Sequence, residues 1–565
     1  MCWRLLIFVG LTQILSLHGL SSAEKAPNYS FLKDATKSPP VLTSQYIIIG
    51  GGTSGCALAA TLSQESSVLV LERGGVPYTN PNIVSMAKFP VNLGDIRPNS
   101  PTQQFISEDG VINHRARVLG GGSALNAGFY TRAESFFVKE MGWDQTLVEE
   151  SYEWVEKKVA FKPNVKQWQS AVKNGLIEVG VVPNNGFTYD HTYGTKVGGS
   201  IFDEEGHRHT AADLLEYADP GKITVLLHAT VVKILFRTNG KQKPRAYGVI
   251  YEDALGIKHT AYLAKESRCE IILSAGALGS PQILMLSGIG PADHLRAHGL
   301  QVVMDQPMVG QGMADNPMNV IFVPSPRPIE VSLIQVVGIT NFNTYIEAAS
   351  GLSLIPSVSQ ELLRNIASNQ ANQTEDIAKA MDAMKIALNT NTNVGVILEK
   401  VARPISRGHL ELLTTNPHDN PSVTFNYFQA PEDLKSCVDG MNTIVKVLES
   451  SAFSGFRYKM VSVQALLGLT ATVPFNLRPK HLRDAFDMEQ FCKDTVVTIW
   501  HFHGGCQVGK VVDKDYRVFG VDALRVIDGS TWIHSPGTNP QATVMMLGRY
   551  MGQRIMQERA QHWRK

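Results

Sequence analysis

The chain has 565 residues, of which 44% are hydrophobic and 18% are charged, and its formal net charge is +1. This length suits two or three domain-sized units, and the balanced charge provides no global field that would attract nucleic acid or an anionic membrane. No apolar run reaches the roughly 18 residues that a membrane span requires. The composition predicts a packed globular protein without a membrane span.

The N-terminus has the pattern of a targeting segment. One positive charge in Met1–Arg4 precedes a mostly apolar run, Leu5–Leu17, and small residues precede Ala23. This order predicts a signal peptide over residues 1–23, and therefore a secreted protein of the extracellular space or cell wall. A short membrane anchor is the alternative, which the length of the run disfavours. Residues 24–43 are polar and are expected to form a loose leader.

Secretion would make two Asn-x-Ser/Thr sequons, at Asn28 and Asn372, candidates for glycosylation. Six cysteines are present, and Cys2 would leave with the signal peptide. Five would remain, so at least one is free or pairs between chains. The favoured disulfide is Cys437 with Cys492, and buried free thiols are the alternative.

A glycine-rich turn is the strongest local motif of the chain. Apolar runs at Tyr46–Ile49 and Val68–Leu71 predict two buried strands, with a helix over Ala57–Leu62 between them. The turn after the first strand has the spacing Gly-x-Gly-x-x-Gly, at Gly50, Gly52 and Gly55. Glycines let the backbone approach a pyrophosphate, and the helix N-terminus offers free N–H groups and a positive dipole end.

Glu72 stands at the end of the second strand, 17 residues after Gly55. This is close to the spacing at which an acidic residue meets the ribose hydroxyls of a dinucleotide. The pattern predicts FAD or NAD rather than a cofactor with a free 2′-phosphate, which Glu72 would repel. A purely structural glycine turn is the alternative.

Further elements follow along the chain. Residues 223–236 and 245–251 are predicted to be strands, as are the later segments 425–428 and 496–500. Apolar residues recur at helical spacing after Thr374, which is a candidate N-cap, and predict an amphipathic helix packed on the core.

Several long segments resemble those of a known family. Ala116–Tyr130 and Gly276–Gly290 resemble the two signature patterns of the glucose–methanol–choline (GMC) oxidoreductases, which are FAD enzymes that oxidise alcohols. Trp500–Cys506, Leu524–Thr531 and Asn539–Thr543 resemble the C-terminal catalytic block of the same family. The resemblance extends over roughly residues 44–560.

Within that family the chain is most similar to the plant branch that contains HOTHEAD-type proteins and mandelonitrile lyases, on the stretches Asn185–His191, Arg208–Leu215, Met313–Asn319 and Ser422–Phe428. The resemblance implies a mixed α/β fold, with a Rossmann-like FAD-binding domain and a substrate-binding domain of a sheet plus helices, in a monomer. The FAD-binding domain is expected to be discontinuous, at residues 44–135, 195–330 and 498–560. The substrate-binding domain is expected to fill the gaps, at residues 136–194 and 331–497.

The same resemblance implies which residues hold FAD. The glycines of the first turn would wrap the pyrophosphate, Glu72 would meet the adenosine ribose, and Val231 would meet the adenine through its backbone. Asp528 and the segment 539–541 would approach the ribityl chain and the isoalloxazine. The implied cofactor residues are Gly50, Gly52, Thr53, Ser54, Gly55, Glu72, Arg73, Val118, Gly121, Gly122, Ser123, Asn126, Val231, Trp500, His501, Asp528, Gly529, Asn539, Pro540 and Gln541.

The implied catalytic residues are His501 and Asn539. Alcohol oxidation removes a hydroxyl proton and a hydride, and a neutral imidazole is a suitable base for the proton. Asn539 would bind the substrate oxygen and fix its orientation. A zinc site of His501, His503 and Cys506 is disfavoured because no fourth ligand lies nearby, so no metal is expected. His503 is predicted to be a hydrogen-bonded core histidine that supports the turn.

The resemblance therefore implies a secreted FAD-dependent oxidoreductase that acts on the CH–OH group of a primary alcohol, with long-chain or ω-hydroxylated fatty alcohols suggested by the HOTHEAD-like features. The alternative is a hydroxynitrile lyase that cleaves a cyanohydrin, with FAD in a non-redox role. The lyases of this branch carry a second histidine where this chain has Asn539, which favours oxidation. The electron acceptor stays open.

Overall fold

The computed structural model describes residues 27–238, 243–266, 268–351, 375–389, 394–474, 476–481 and 487–563. The predicted signal peptide (residues 1–23), Asn372 and Thr374 lie outside these ranges. Asn28 lies within them and is exposed. None of the helices in the described ranges is both long and apolar enough to cross a membrane.

A six-stranded parallel sheet forms one half of the molecule. Its central strands are buried at every position. They are continuous apolar runs, as is typical of parallel strands that are covered on both faces. The predicted strands Tyr46–Ile49 and Val68–Leu71 are confirmed as direct neighbours. The order across the sheet is Leu32–Asp34, Ile223–Leu227, Val68–Leu71, Tyr46–Ile49, Glu270–Leu273 and Leu524–Val526.

The expectation of a loose leader over residues 24–43 is wrong for its second half. Leu32–Asp34 pairs in parallel with Ile223–Leu227, and Val41–Ser44 pairs in parallel with Lys258–Leu263. Both are edge strands of three or four residues. Their pairing uses backbone groups of an existing sheet edge, and such pairing leaves no apolar periodicity in the sequence.

A second sheet has four strands, and its first strand in the order across the sheet directly follows a strand of the parallel sheet along the chain. The predicted strand over residues 223–236 is divided into Ile223–Leu227 and Thr230–Arg237 by His228, whose φ is 56°. The first part enters the parallel sheet and the second part enters this one. The predicted strand at 245–251 is confirmed. The order is Thr230–Arg237, Arg245–Glu252, Lys258–Leu263 and Val41–Ser44.

A mostly antiparallel seven-stranded sheet forms the other half. Pro317–Pro324 and Thr344–Ser350 are buried at every position, and helices pack against both strands. The order across the sheet is Val497–Thr498, Pro317–Pro324, Val394–Val401, Thr344–Ser350, Val336–Ile339, Gly194–Val197 and Asn184–Phe187. The two halves give the mixed α/β fold that was predicted.

Two late strand predictions need correction. The strand predicted over 425–428 lies instead at Ser422–Thr424, because Asn426 and Phe428 have positive φ angles of 59° and 62° that end the extended run. The strand predicted over 496–500 is reduced to Val497–Thr498, and the chain then turns at Trp500. Smaller sheets pair Thr102–Ile106 with Ile112–Ala116, Phe129–Tyr130 with Gly199–Ser200, Ile289–Gly290 with Met304–Asp305, and Gly408–Glu411 with both Gln311–Met313 and Ser422–Thr424.

Helices cover the sheets. The predicted helix after Thr374 is confirmed over Glu375–Asn389, where Met381 and Met384 are buried. The last helix packs against the helix that begins at the glycine turn, and Arg549 of the last helix donates a hydrogen bond to Thr61. The helices are Thr53–Leu62, Pro81–Val84, Phe89–Leu93, Ser135–Glu140, Gln145–Val159, Gln167–Glu178, Gly276–Leu286, Ala292–Ala297, Glu375–Asn389, Pro431–Glu449, Val463–Ala471, Met488–Thr495 and Gln541–Trp563.

The predicted disulfide between Cys437 and Cys492 is confirmed. It joins the helix Pro431–Glu449 to the helix Met488–Thr495. The remaining cysteines of the described ranges are free and buried, at Cys56, Cys269 and Cys506.

Candidate active site

The glycine turn lies where the parallel sheet ends. Gly50 has a φ of 100°, which favours glycine, and a Cβ added there would lie 2.5 Å from the carbonyl oxygen of Ser274 on the neighbouring strand end. A Cβ added at Gly55 would clash with the carbonyl oxygen of Gly50. These two glycines therefore allow the turn, the helix and the adjacent strand end to pack in direct backbone contact.

Gly52 and Gly122 differ from those two, because a Cβ added at either would clash with nothing. The nearest atoms to a Cβ added at Gly52 are 3.7 and 3.9 Å away, and a Cβ added at Gly122 meets nothing within 4 Å. Gly52 is also the N-cap of the helix Thr53–Leu62, and it has no side chain that could accept a hydrogen bond from the first N–H groups of that helix. Within the described residues, the buried hydroxyl of Ser54 in the first turn has no partner. Free N–H groups, a positive dipole end and an unsatisfied hydroxyl form a cradle for an anionic group.

Glu72 lies beside this cradle. Its carboxylate accepts hydrogen bonds from the Gly51 N–H at 2.9 Å and the Gly74 N–H at 2.7 Å. Burial raises the pKa of Glu72, and the two backbone donors oppose that rise. The carboxyl group is thereby held at a fixed position at the end of its strand.

One cavity runs along the carboxyl edge of the parallel sheet and brings together residues from distant parts of the chain. Gly55 is the one predicted cofactor residue outside its lining, because it is buried beneath the turn. The predicted residues that line the cavity are Gly50, Gly52, Thr53, Ser54, Glu72, Arg73, Val118, Gly121, Gly122, Ser123, Asn126, Val231, Trp500, His501, Asp528, Gly529, Asn539, Pro540 and Gln541.

Asp528 fixes the far wall of the cavity. One carboxylate oxygen accepts from the Gly276 N–H at 2.9 Å and from the Ser280 hydroxyl at 2.5 Å, and the other accepts from the Ser530 N–H at 2.8 Å. Burial raises the pKa of Asp528, and these donors lower it. The side chain thus joins the turn after the strand Leu524–Val526 to the start of the helix Gly276–Leu286.

Asn126 and Gln541 are joined directly across the cavity wall. The Asn126 amide donates to Gln541 Oε1 at 2.9 Å, and the Gln541 amide donates to the Phe129 carbonyl at 2.6 Å. The oxygen of Asn126 accepts from the Gly128 N–H and from Arg208. Both amides are therefore held in single orientations.

Three other predicted cofactor residues also bond to protein groups. The Arg73 guanidinium donates to Gln103 and to the Ala116 carbonyl. The hydroxyls of Thr53 and Ser123 donate to the Gly120 carbonyl. These side chains shape the wall of the cavity through their bonds to neighbouring segments.

The turn that carries His501 is held by hydrogen bonds to Asp315. Its carboxylate accepts from the His501 N–H at 3.0 Å, and from the hydroxyls of Thr498 and Tyr427, each at 2.6 Å. Burial raises the pKa of Asp315 to about 6, while these donors lower it. The preceding residue, Trp500, has a φ of 59°, a strained value that persists only where surrounding bonds impose it.

The imidazole of His501 lies in the cavity wall with its Nδ1 buried and, within the described residues, unpartnered. Burial lowers its pKa well below 6.5, and the positive charge of Lys400 lowers it further. The ring is therefore neutral at neutral pH and has the protonation state of a base.

His503 does not line the cavity. Its Nδ1 lies 3.1 Å from the His501 carbonyl oxygen, and the ring is buried. This contact agrees with the predicted role in supporting the turn. In the described ranges, no group of three or more His, Cys, Asp or Glu residues is placed to hold a metal ion.

Asn539 lies in the cavity wall and accepts a hydrogen bond from an ammonium group. Lys400 Nζ lies 2.7 Å from Asn539 Oδ1 and 2.9 Å from Glu347 Oε1. The side chains of Lys400 and Glu347 are completely buried. Asp315, Lys400 and Glu347 were not predicted from the sequence as residues of the site. The available signal was a charged residue next to or inside an otherwise apolar strand, since such residues are seldom buried without a partner.

The lining of the cavity also contains many apolar side chains. An additional polar residue is His114, whose Nδ1 is buried and unpartnered within the described residues, as is Nε1 of Trp500. The two rings lie 6.3 Å apart, and burial lowers the pKa of His114 to about 4. The apolar residues of the lining include Leu93, Leu125, Phe129, Ile334, Ile499 and Phe502.

A parallel sheet with a glycine cradle at its carboxyl edge and a neutral imidazole in the same cavity define a dinucleotide-dependent oxidoreductase. The chain belongs to the GMC oxidoreductase family, because the two GMC oxidoreductase profiles match residues 44–318 and 404–548. FAD is the cofactor of this family, and the open glycine edge and unsatisfied Ser54 hydroxyl fit it.

Named relatives support the assignment over nearly the whole chain. Protein HOTHEAD of Arabidopsis thaliana is 54% identical over 525 residues, which cover 91% of this chain and 88% of the relative. The (R)-mandelonitrile lyase-like protein of the same plant is 46% identical, with 94% and 92% covered. Sinalpyl alcohol oxidase Nec3 of Nesocodon mauritianus is 40% identical, with 98% and 97% covered.

Solved structures share the fold. Pyridoxine 4-oxidase from Mesorbium loti superposes with a TM-score of 0.71 over 90% of this chain and 98% of that chain, at 21% sequence identity. At this identity the likeness concerns the fold alone.

Gly52→Leu should give a folded protein that lacks FAD. Gly52 has no close neighbour, so the new side chain extends into the cradle and displaces the cofactor rather than the backbone. We expect FAD occupancy to fall at least about tenfold, as pyrophosphate binding here depends on close backbone approach. The ratio of visible flavin absorbance to protein absorbance measures it. Gly221→Leu, on an exposed loop, is the control, and a fully loaded Gly52→Leu protein would contradict the assignment.

Proposed function

We propose that this protein is a secreted FAD-dependent oxidoreductase that converts a primary alcohol to an aldehyde, with His501 as the base. The observation that carries the proposal is that His501 and Asn539 line the same cavity as the glycine cradle. The disulfide between Cys437 and Cys492 supports an oxidising compartment, in line with a signal peptide over residues 1–23.

The cofactor residues are proposed to act as the resemblance implies. Gly50, Gly52 and the first helical turn hold the pyrophosphate, and the Glu72 carboxylate meets the adenosine ribose. The backbone of Val231 meets the adenine. Gly121, Gly122, Ser123 and Asn126 would lie along the pyrophosphate and the flavin. Asp528, Gly529 and the segment 539–541 would approach the ribityl chain and the isoalloxazine.

The reaction divides between the cofactor and the protein. When bound, FAD would supply the acceptor for the hydride that leaves the alcohol carbon, and an external electron acceptor would regenerate the oxidised cofactor. The neutral imidazole of His501 accepts the hydroxyl proton as the C–O bond becomes a carbonyl. Asn539 hydrogen-bonds the substrate oxygen and fixes its orientation. The product is the aldehyde, with the proton on His501.

The proposed substrate is a long-chain or ω-hydroxylated fatty alcohol. The aliphatic and aromatic side chains of the cavity lining support an apolar substrate body. The similarity to Protein HOTHEAD and to an enzyme named as an alcohol oxidase favours redox chemistry on an alcohol.

A hydroxynitrile lyase is the second candidate. The 46% identity to a protein named (R)-mandelonitrile lyase-like favours it. In that reaction His501 would take the proton of the cyanohydrin hydroxyl, and the C–C bond to cyanide would break without net redox change. Asn539, where the lyases carry histidine, weighs against it.

Anaerobic mixing with alcohols separates the two functions. We expect the flavin of the purified protein to bleach with aliphatic or ω-hydroxy-acyl primary alcohols, because hydride transfer reduces it. The panel should include benzylic alcohols, and the matched control is the corresponding tertiary alcohol, which has no hydrogen to give. If a fully loaded protein bleaches with no alcohol and releases cyanide from mandelonitrile, the lyase function replaces this proposal.

His501→Ala should retain FAD but lose turnover by about a hundredfold or more, since general base catalysis contributes this much. Steady-state kinetics and flavin absorbance on the same sample measure both effects. His207→Ala, whose side chain is 47% exposed, serves as the control. Unchanged turnover in the His501 variant would remove this residue from the reaction.

The acid limb of the pH profile should lie below pH 6.5. The pKa of His501 is depressed, so the neutral base persists as pH falls and is lost only below that lowered value. We therefore expect kcat/KM to stay level from about pH 8 down to pH 6.5 and to decline at lower pH. Initial rates with a fixed alcohol across buffers of constant ionic strength test this, and a half-maximal point above pH 6.5 would be inconsistent with a buried base.

A further inference from the structure

Lys400 and Glu347 form a completely buried ion pair next to the cavity. They lie on adjacent antiparallel strands, Val394–Val401 and Thr344–Ser350, in which Lys400 is the register partner of Tyr345. Because side chains alternate along a strand, Tyr345 and Glu347 share one face. The strand geometry therefore brings Lys400, Tyr345 and Glu347 together on the side that faces Asn539.

The Lys400 ammonium has three donors, and three acceptors surround it. Its Nζ donates to Glu347 Oε1 and to Asn539 Oδ1, and it lies 4.4 Å from the centre of the Tyr345 ring. The ring itself is held by a hydrogen bond of 3.2 Å between its hydroxyl and Thr538, next to Asn539. Burial of an ion pair is costly, and a buried charge with this many specific contacts acts as an orienting device as well as a packing element.

Lysine offers only donors, so it dictates which end of an amide it meets. An amide turned the other way would place an N–H group against the ammonium, with a lost hydrogen bond and like polarity in contact. Lys400 therefore holds Oδ1 of Asn539 away from the cavity. Oδ1 is the atom through which this amide bonds to Lys400, so the Nδ2 group of the cavity-lining Asn539 is left for the cavity side.

We propose that Lys400, neutralised by Glu347, is a positioning residue that fixes the amide of Asn539 so that its N–H donors face the substrate oxygen. This inference rests on the proposed function for the identity of the substrate. It assigns Asn539 the role of a donor only, which stabilises negative charge on the alcohol oxygen as His501 removes the proton. The ammonium also contributes to the low pKa of His501, which keeps that ring neutral.

A double-mutant cycle tests the coupling. The pair is removed as a unit in Lys400→Met/Glu347→Leu, because loss of one partner alone would leave a buried charge. We expect turnover at about pH 8, where His501 is neutral in every variant, to fall at least about tenfold with flavin retained. Asn539→Ala should fall about 100-fold. In the Asn539→Ala background, removal of the pair should cost less than about twofold. Additive losses would overturn the proposal.

Asn539→Asp is the matched isosteric variant. It keeps the size of the side chain and the bond to Lys400, but it presents an acceptor to the cavity, so we expect at least the loss seen with Asn539→Ala. Activity near that of the unaltered protein would show that the donor face is not required and would overturn the proposal.

A binding readout separates this inference from the proposed function. Titration of a tertiary alcohol, followed by the flavin difference spectrum, reports binding without turnover. We expect Lys400→Met/Glu347→Leu and Asn539→Ala to lower the affinity for this alcohol about equally. The combined variant should bind it no more weakly than either one. If the unaltered protein oxidises no alcohol, the proposed function fails while this binding cycle still decides the orientation of Asn539. Equal affinity in all variants would overturn the inference.

Discussion

Direct backbone contact at the carboxyl edge of the parallel sheet is the constraint on which the rest of the site depends. Gly50 meets the Ser274 carbonyl group with no space for a side chain. The Ser274 hydroxyl in turn donates to the Ile527 carbonyl at 2.9 Å, and Asp528 bonds back to the Gly276 N–H. These contacts hold together the ends of three strands that are far apart in the chain, Tyr46–Ile49, Glu270–Leu273 and Leu524–Val526. Together the strand ends form one continuous wall of the cavity.

The site divides between the two large sheets. The parallel sheet and its turns supply the cradle, whereas the groups around the proposed reacting atoms are positioned by the antiparallel half. Asp315 precedes the strand Pro317–Pro324 and holds the His501 turn, and Lys400 reaches Asn539 from the strand Val394–Val401. The proposed cofactor cradle and the groups that position His501 and Asn539 are therefore supplied by different sheets.

The sequence predicted those parts whose signal is local. Buried strands appear as apolar runs, the cradle appears as spaced glycines, and His501 appears within a long family motif. The edge strands at Leu32–Asp34 and Val41–Ser44 were not predictable in this way, because their partners lie about 200 residues away and their own residues are mostly polar. The roles of Asp315, Glu347 and Lys400 were not predictable for a similar reason. Nothing local distinguishes these residues from other charged residues, because only the folded arrangement of the strands places each one beside its partner.

The packing of the last helix on the first has a consequence for the order of synthesis. Gln541–Trp563 covers the helix Thr53–Leu62, and the edge strand Leu524–Val526 completes the parallel sheet. The N-terminal part of the cradle therefore leaves the ribosome about 470 residues before the elements that enclose it. The segment Ala211–Tyr217 can cover one side of Thr53–Leu62 earlier in synthesis, but the side that packs on Gln541–Trp563 gains its partner only when the C-terminus has been made.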